Sequence, residues 1–253
     1  MPRQPQGHEP RYRTIAGDLR AKIERGELKP DGRLPSQEEI MEQYDVAMGT
    51  ARQALQALQD QGLTVAVQGR GVYPRTYRPL PRRSPARLAA EQWGSGRSIW
   101  EMDLEERADD MTQRVQIEKI PATPTIARQL SVSENEYVWK RDRLFLLADH
   151  PVQRAVSYLP SSLVEGTAIT QLDTGPGGIY ARLADIGHAP ARFTEALRAR
   201  MPSKEEADDL ALPPATPVLE ITRIAYDDTG IPVEVNDMLL NAYAYVLEYD
   251  FPA

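Results

Sequence analysis

The sequence contains no cysteine and only three histidines among its 253 residues. Without cysteine, disulfides, thiolate nucleophiles and cysteine-based zinc sites are excluded. His8, His150 and His188 do not have the spacing of a ligand set, so we expect no metal site and no cofactor. They also leave little material for a histidine-based catalytic triad.

Long apolar runs are also missing. No segment approaches the ~18 consecutive apolar residues that a membrane span needs. The first thirteen residues, MPRQPQGHEPRYR, lack the apolar core of a secretory signal. We therefore expect a soluble, cytoplasmic protein with no membrane partner, and its length favours two domains over one.

The net charge of −7 is distributed unevenly along the chain. Residues 1–87 carry a net charge of +5, and residues 88–253 carry −12. From Gln61 to Ala90 there are six arginines and no acidic residue. Such asymmetry is typical of a chain with one nucleic-acid-binding half, although a solvated basic linker would give the same pattern in this stretch.

Three helices are predicted in the basic half. The apolar spacing of residues 13–25 fits one helical face. Ser36 and Glu39 have the spacing of a capping box that opens a second helix. A third helix is expected from about Gly49 to Gln61 after a tight turn at residues 43–49. Two short helices joined by such a turn describe a helix-turn-helix.

A two-stranded wing is expected after the third helix. Residues 63–67 alternate like a short strand, and residues 68–71, Gln-Gly-Arg-Gly, suit a turn. Val72 begins the return strand, and Pro74 ends it. Arg70 at the tip of this ribbon is well placed for the minor groove of DNA.

The run LPSQEEIMEQYDVAMGTARQALQALQDQGLTVAVQGRGVYP closely resembles the N-terminal pattern of GntR-family transcriptional regulators. The resemblance covers residues 12–74 and includes LPS, TxRxAL and QGRG in order. It implies that Arg52, near the start of the recognition helix, contacts a base or phosphate in the major groove. The candidate DNA-binding residues are Arg13, Arg33, Ser36, Met48, Gly49, Thr50, Arg52, Gly69, Arg70 and Gly71.

One segment departs from the family pattern. Where members commonly carry VSRxTVR, this chain has VAMGTAR. Ala47 loses a hydroxyl that would cap the helix, and Met48 replaces an arginine that often contacts guanine. Because methionine offers only apolar contact, we expect a changed base preference under Met48.

Strands dominate the pattern after residue 110. Alternating segments at 137–147 and 152–159, and at 218–226 and 231–240, each flank a turn and predict two hairpins. A strand at 115–120, a helix at 178–186, a strand at 191–201 and a capped helix from Ser203 complete an α+β fold. The expected organisation is a disordered arm at 1–11, a winged helix-turn-helix at 12–76, a linker at 77–110 and a second domain at 111–253.

The second half is similar to the UTRA effector-binding domain of the HutC subfamily of GntR regulators. The similarity rests on RDRLFLLADHPVQRAVSYLP, TEALRARMPSKEEADDLAL and PVLEITRIAYDDTGIPVEV, and spans roughly residues 100–250. It implies a chorismate-lyase-like fold, an antiparallel sheet with helices packed on it. It also implies a small-molecule effector and a homodimer that binds double-stranded operator DNA.

Arg141 and Arg143 share one strand face with two aromatic residues. Their guanidinium groups suit a carboxylate or phosphate, but an exposed ladder or pairing with internal acids fits the pattern equally. Glu195, on an apolar face, needs a partner, either an effector group or one of these arginines. Glu234 could contact effector or form a structural ion pair. The candidate effector residues are Arg141, Arg143, Tyr158, Glu195 and Glu234.

The sequence shows no nucleophile–base pair and no P-loop, so we expect no catalytic residues and no enzyme. Gly175-Pro176-Gly177-Gly178 lacks the lysine of a P-loop and is interpreted as a turn. The favoured function is a sequence-specific regulator, by family default a repressor, released from an inverted repeat by a small anionic effector. The alternatives are an effector-independent repressor of the type that controls plasmid transfer, and a lyase-like enzyme.

Overall fold

The computed structural model describes residues 10–29, 31–67, 69–75, 80–84, 88–96, 99 and 111–250. The chain divides into two compact units. The first comprises Met1–Tyr77 with Pro213–Thr216, and the second comprises Arg78–Leu212 with Pro217–Ala253. Most of the predicted arm lies outside the described residues, and its last residue, Arg11, already belongs to a helix.

Three helices build the first unit: α1 (Arg11–Glu24), α2 (Gln37–Tyr44) and α3 (Met48–Asp60). Each contributes an apolar face to one core, as the helical spacing in the sequence predicts. The buried members of this core are Ile15, Ala16, Leu19, Leu34, Ile40, Ala51, Ala54, Leu55 and Leu58.

Local hydrogen bonds set the start of α2 and the turn that follows it. The predicted capping box is present: the Glu39 amide donates to the Ser36 hydroxyl (3.2 Å), and the Ser36 amide donates to the Glu39 carboxylate (2.7 Å). Asp45 adopts the left-handed conformation (φ 49°) and ends the helix. The chain then enters α3 at Met48, with Ala47 at the N-cap supplying no side-chain hydrogen bond.

The predicted wing is also present. Strands β1 (Thr64–Val67) and β2 (Gly71–Pro74) pair antiparallel, with Val67 opposite Gly71. The amide of Leu34, just before α2, donates to the carbonyl of Val72 (2.8 Å). The wing is therefore tied to the start of the helix-turn-helix through the backbone.

A six-stranded antiparallel sheet forms the centre of the second unit, in the order β4-β5-β6-β9-β8-β7. Both predicted hairpins occur, as β5–β6 and β8–β9. The pairing of β6 with β9 brings them side by side. The strands are β4 (Met111–Pro121), β5 (Tyr137–Leu147), β6 (His150–Pro160), β7 (Arg192–Arg200), β8 (Val218–Tyr226) and β9 (Pro232–Asn241).

Shorter elements accompany the sheet. The helices are α4 (Ala90–Gly94), α5 (Pro124–Leu130), α6 (Ser161–Val164), a 3-10 turn (Ala168–Thr170), α7 (Gly178–Asp185) and α8 (Lys204–Asp209). Two further strands, β3 (Leu80–Ser84) and β10 (Tyr245–Tyr249), form a parallel pair. β3 and α4 lie within the stretch expected to be a linker, so part of residues 77–110 has regular structure in the second unit.

The two sheet faces have different surroundings. One packs α5 through Ile126, Ala127 and Leu130 against Val138 and Val235. The other packs α7 and the β3–β10 pair in two further apolar clusters. Helices with a wing, followed by an antiparallel sheet with helices, confirm the α+β class. Within the described residues, no helix has the length and apolarity to cross a membrane.

Candidate functional site

The solvent-facing side of α3 carries several of the predicted DNA-binding residues. Ala51, Ala54, Leu55 and Leu58 are buried, which turns the opposite side of the helix outwards. Met48 at the first position is 53% exposed. Gly49 and Arg52 are also exposed, and Thr50 is half-buried. The N-terminal end of the helix is thus accessible, as DNA contact through the major groove requires.

Arg52 and Arg70 are exposed cations. Among the described residues, neither guanidinium has an ion pair or a side-chain hydrogen bond. Arg13, also exposed, donates to the hydroxyl of Tyr12 (3.2 Å). A cation that has no protein partner keeps its charge available for a phosphate or a guanine.

Arg33 has a different environment from the exposed arginines. It is half-buried, and its Nε lies 3.5 Å from a carboxylate oxygen of Asp31. Its aliphatic stem crosses the wing at Gly71, where an added Cβ would lie 2.8 Å from Arg33 Cδ. Gly71 also has φ +116°, a conformation that favours glycine. Arg33 therefore packs on the wing, and its contact with DNA stays a prediction.

Ser36 and Gly69 have clear local roles in this unit. Ser36 caps α2 through its hydroxyl, which the sequence predicts from the spacing to Glu39. Gly69 adopts φ +73° in the turn of the wing, with open space around it. Local backbone geometry explains why serine and glycine occupy these two positions, and neither explanation requires a DNA contact.

A cavity of about 140 Å³ opens on the sheet face that carries Arg141 and Arg143. Strands β4, β5, β6, β8 and β9 form its floor, and the segment before and at the start of α7 forms its wall. Its lining includes two predicted effector arginines and Glu234. The full lining is Ile99, Gln113, Arg141, Arg143, Phe145, Gln153, Ala155, Leu172, Asp173, Thr174, Gly177, Gly178, Ile179, Tyr180, Arg223, Glu234, Asn236 and Met238.

Arg141 is buried and held by backbone carbonyls. Its guanidinium donates to Ile169 (2.6 Å), Gln171 and Leu172 (3.2 Å). Burial, assisted by the charge of Arg143, lowers the pKa of Arg141 to about 10. The side chain remains a cation at neutral pH, with a fixed orientation at the cavity wall.

Arg143 is held by side chains instead. It donates to the hydroxyl of Ser157 and lies 5.8 Å from the ring centre of Phe145. Burial lowers its pKa as well. The Nε atoms of Arg141 and Arg143 are both buried and lack a hydrogen-bond partner within the described structure.

The cavity also presents acceptors. Glu234 is 1% exposed, and its Oε2 has no hydrogen-bond partner in the described part of the chain. The same holds for Oε1 of Gln153 and Oδ1 of Asn236. Buried polar atoms without partners are costly unless another molecule satisfies them. Donors and acceptors together suit a small, polar ligand.

Tyr158, a predicted effector residue, does not line the cavity. On β6 it alternates with Ser157, which faces Arg143, so Tyr158 points to the other side of the sheet. There it packs in the cluster formed by α5, Val138 and Val235. Burial in that cluster raises the pKa of Tyr158.

Of the two partners expected for Glu195, an effector group or one of the arginines Arg141 and Arg143, the arginine pairing is wrong. The Glu195 carboxylate accepts hydrogen bonds from Arg82 (3.0 Å), Arg223 (2.9 Å) and the Tyr249 hydroxyl (3.0 Å), and not from Arg141 or Arg143. The carboxylate is absent from the cavity lining. Burial alone would raise the pKa of Glu195, but the charges of Arg223 and Arg82 hold it at about 2.

Several polar residues of the cavity are not among the predicted effector residues, and they include Gln153, Tyr180, Arg223 and Asn236. Two of them were detectable, because Gln153 and Asn236 share a face with apolar neighbours at a period of two. Burial, followed by the nearby charge of Glu234, raises the pKa of Tyr180. The glycine-rich segment is a turn as expected, with Gly175 and Gly177 at positive φ, but it also forms part of the cavity wall.

The described residues contain no cluster of histidine, aspartate and glutamate that could hold a metal ion. The arginines of the cavity provide charge and hydrogen-bond donors. The arrangement suits ligand binding.

Two family models match the chain. The model described as "Bacterial regulatory proteins, gntR family" matches residues 11–73, and the UTRA domain model matches residues 111–245. A solved structure of a GntR-family transcriptional regulator has a TM-score of 0.66 and 30% identity, covering 97% of this chain and 98% of its own. PhnF from Mycobacterium smegmatis, with a TM-score of 0.58 and 20% identity over 93% of this chain and 99% of its own, shares the fold.

Three curated relatives are also similar to this chain in sequence. An uncharacterized HTH-type transcriptional regulator of Streptomyces coelicolor is 29% identical over 96% of this chain and 93% of its own length. The HTH-type transcriptional repressor NagR of Bacillus subtilis is 28% identical over 89% and 88%. The Escherichia coli repressor MngR, of the mannosyl-D-glycerate transport and metabolism system, is 31% identical over 62% and 61%.

Proposed function

Because the chain belongs to the GntR family and carries a UTRA domain, it is a transcriptional regulator and not an enzyme, and we propose that it is a repressor of the HutC type. Its homodimer binds an inverted-repeat operator in the cytoplasm, and a small anionic effector releases it. Residues 12–76 bind DNA, and residues 111–253 bind effector and dimerise. Two relatives named as repressors, NagR and MngR, support this direction of control.

The exposed cations of α3 and the wing, which have no ion pair within the described residues, are the basis for proposing DNA binding. Arg52 lies on the outer side of α3, and Arg70 lies at the tip of the wing. In a winged helix-turn-helix these positions face the major groove and the adjacent minor groove. Met48, Gly49 and Thr50 at the start of α3 complete the contact, together with Arg13 and Gly69.

The cavity is the basis for the proposal that the effector is anionic. Arg141 and Arg143 present guanidinium groups that other side chains and carbonyls already hold in place. Preorganised guanidinium groups favour carboxylate or phosphate. Glu234 adds an acceptor for hydroxyl or amine groups on the same ligand.

Control of DNA binding follows from linkage between the two sites. A dimer that fits an inverted repeat holds its recognition helices one helical turn apart. An effector that binds a state with another spacing lowers operator affinity in proportion to its preference for that state. A coupling of about 1–3 kcal/mol would change the affinity by about 5- to 150-fold.

The first experiment is a fluorescence anisotropy titration with DNA from upstream of the protein's own gene, at several salt concentrations. Wild type should bind tightly and saturably, while Arg52→Ala should fall towards its affinity for unrelated DNA. Equal, weak binding by both proteins at every salt concentration, and no enrichment from random DNA, would contradict the proposal.

The same assay separates the proposed repressor from an effector-independent one. Sugar phosphates and small carboxylates would be screened for release of bound DNA. Release by one compound, lost in Arg143→Met, supports the effector site. Release by none, with DNA binding intact, would favour the effector-independent repressor.

A further inference from the structure

Met48 is a large apolar side chain placed in water at the N-terminal end of α3. It is the first residue of the helix and 53% exposed, and it does not belong to the apolar core of this unit. Single exposed apolar residues are common on protein surfaces. What distinguishes Met48 is its position, because the N-terminal residues of a recognition helix contact base edges.

Met48 and Arg52 are neighbours on the exposed face of α3. Residues four apart on a helix have Cβ atoms roughly 5–6 Å apart. Gly49 lies beside them without a side chain, and no atom lies within 4 Å of the position its Cβ would occupy. Since base pairs stack about 3.4 Å apart, the two side chains span one or two base steps.

Met48 and Arg52 differ in the base features that they can contact. Arg52 has no protein partner in the described residues and can donate two hydrogen bonds to guanine O6 and N7. The thioether of Met48 donates no hydrogen bond, and it is flexible and polarizable. In the major groove the apolar feature of the bases is the C5-methyl group of thymine.

We propose that Met48 is a specificity-determining residue that contacts the C5-methyl group of a thymine, one or two base pairs from the guanine that Arg52 contacts. The inference rests on the proposed operator binding and names the bases that this part of α3 selects. Each half-site of the operator therefore contains a thymine and a guanine at this separation.

The experiment begins with selection of operators from random double-stranded DNA by wild type, Met48→Ala and Met48→Arg. Wild type should enrich a thymine that Met48→Ala no longer selects, and Met48→Arg should favour guanine at that position. Deoxyuridine, which lacks only the methyl group, then replaces this thymine. Wild-type affinity should fall roughly fourfold, the amount expected for one buried methyl group. Met48→Ala should bind both DNAs equally.

Two controls isolate the contact. Deoxyuridine at another enriched thymine should leave the difference between wild type and Met48→Ala unchanged. Met201→Ala, at a methionine that is 59% exposed in the other unit, should select the wild-type operator. In a site where cytosine replaces the thymine, 5-methylcytosine should recover affinity for wild type alone.

The possible outcomes distinguish a failure of the Met48 contact from a failure of operator binding itself. If no variant enriches any DNA, the proposed operator binding is wrong, and the Met48 contact is wrong with it. If wild type and Met48→Ala enrich the same operator and respond alike to deoxyuridine, operator binding stands and the Met48 contact is overturned.

Discussion

The arginines of α3 and the wing differ in their surroundings from the arginines of the cavity. Arg52 and Arg70 are exposed and hydrated, with no protein partner among the described residues. Arg141, Arg143 and Arg223 have lost most of their contact with solvent and are held by carbonyls, a hydroxyl or a carboxylate. Among the described residues, the exposed arginines are therefore not held in one orientation by the protein, whereas the cavity arginines are.

The two groups of arginines differ in the step at which the free-energy cost of ordering the side chain arises. An exposed arginine is ordered when DNA binds, and counterion release compensates for that step. A buried arginine is desolvated and oriented during folding, so a ligand meets donors that are already in place. Substitutions on α3 should therefore change affinity, and substitutions around the cavity should also change stability.

The largest effect is expected at the buried ion pairs of Glu195. Glu195→Gln removes the charge that Arg82 and Arg223 share, and these arginine side chains are 0% and 2% exposed. Removing one partner of a buried pair costs about 3–5 kcal/mol. Urea unfolding should show this loss in the second unit, whereas Glu165→Gln, at an exposed carboxylate, should show much less. Equal losses would contradict the account of a buried network.

The stability that this ion pair contributes should depend on pH. The pKa of Glu195 is held at about 2 in the folded protein, below its ordinary value of 4.5. A carboxylate with a lowered folded pKa stabilises the fold above the unfolded pKa, and the effect is lost as pH falls through the folded pKa. The stability advantage of wild type over Glu195→Gln should shrink between pH 4.5 and 2. A constant advantage over that window would contradict the assignment.

A substitution at Gly71 tests whether the packing of Arg33 on the wing stabilises the first unit. Gly71→Ala forces a side chain into φ +116° and against Arg33 Cδ, and a strained residue of this kind costs about 1–3 kcal/mol. Gly69→Ala is the matched control, because Gly69 also has positive φ but open space. Thermal unfolding should show a larger loss for Gly71→Ala. If the two variants lose the same stability, the packing of Arg33 on the wing contributes nothing.

Ser36 tests whether a predicted DNA contact is a cap alone. Ser36→Ala removes the bond from the Glu39 amide and should cost about 1 kcal/mol of stability. Ser203→Ala removes the same cap from α8 and provides the control. Well below the unfolding temperature, DNA affinity should be equal in both variants. A lower affinity in Ser36→Ala alone would add a DNA contact to the capping role.

Local features of the fold were predictable from the sequence. The capping boxes at Ser36 and Ser203 depend on residues three positions apart, and both occur. The turn at Ala148 and Asp149 joins two strands that are adjacent in the chain. Such features involve short separations, which periodicity and turn chemistry describe directly.

Long-range partners were not predictable in the same way. The alternation of Ser157 and Tyr158 was evident, but which of the two faces the cavity depends on the side of the sheet that α5 covers. Glu195 meets Arg223 because the two residues lie opposite each other on the paired strands β7 and β8, and it meets Arg82 because β3 packs on the sheet. A single sequence shows how residues alternate along each strand, but it does not show the order of the strands in the sheet.

If exposed arginines bind DNA and buried arginines shape the effector cavity, substitutions in the two groups should have opposite effects on affinity and stability. Arg52→Ala and Arg143→Met would each be measured for operator affinity by anisotropy and for thermal midpoint. We expect Arg52→Ala to lose affinity with an unchanged midpoint, and Arg143→Met to change its midpoint and keep the affinity of its folded fraction. If Arg52→Ala keeps wild-type affinity for the selected operator, the account is contradicted.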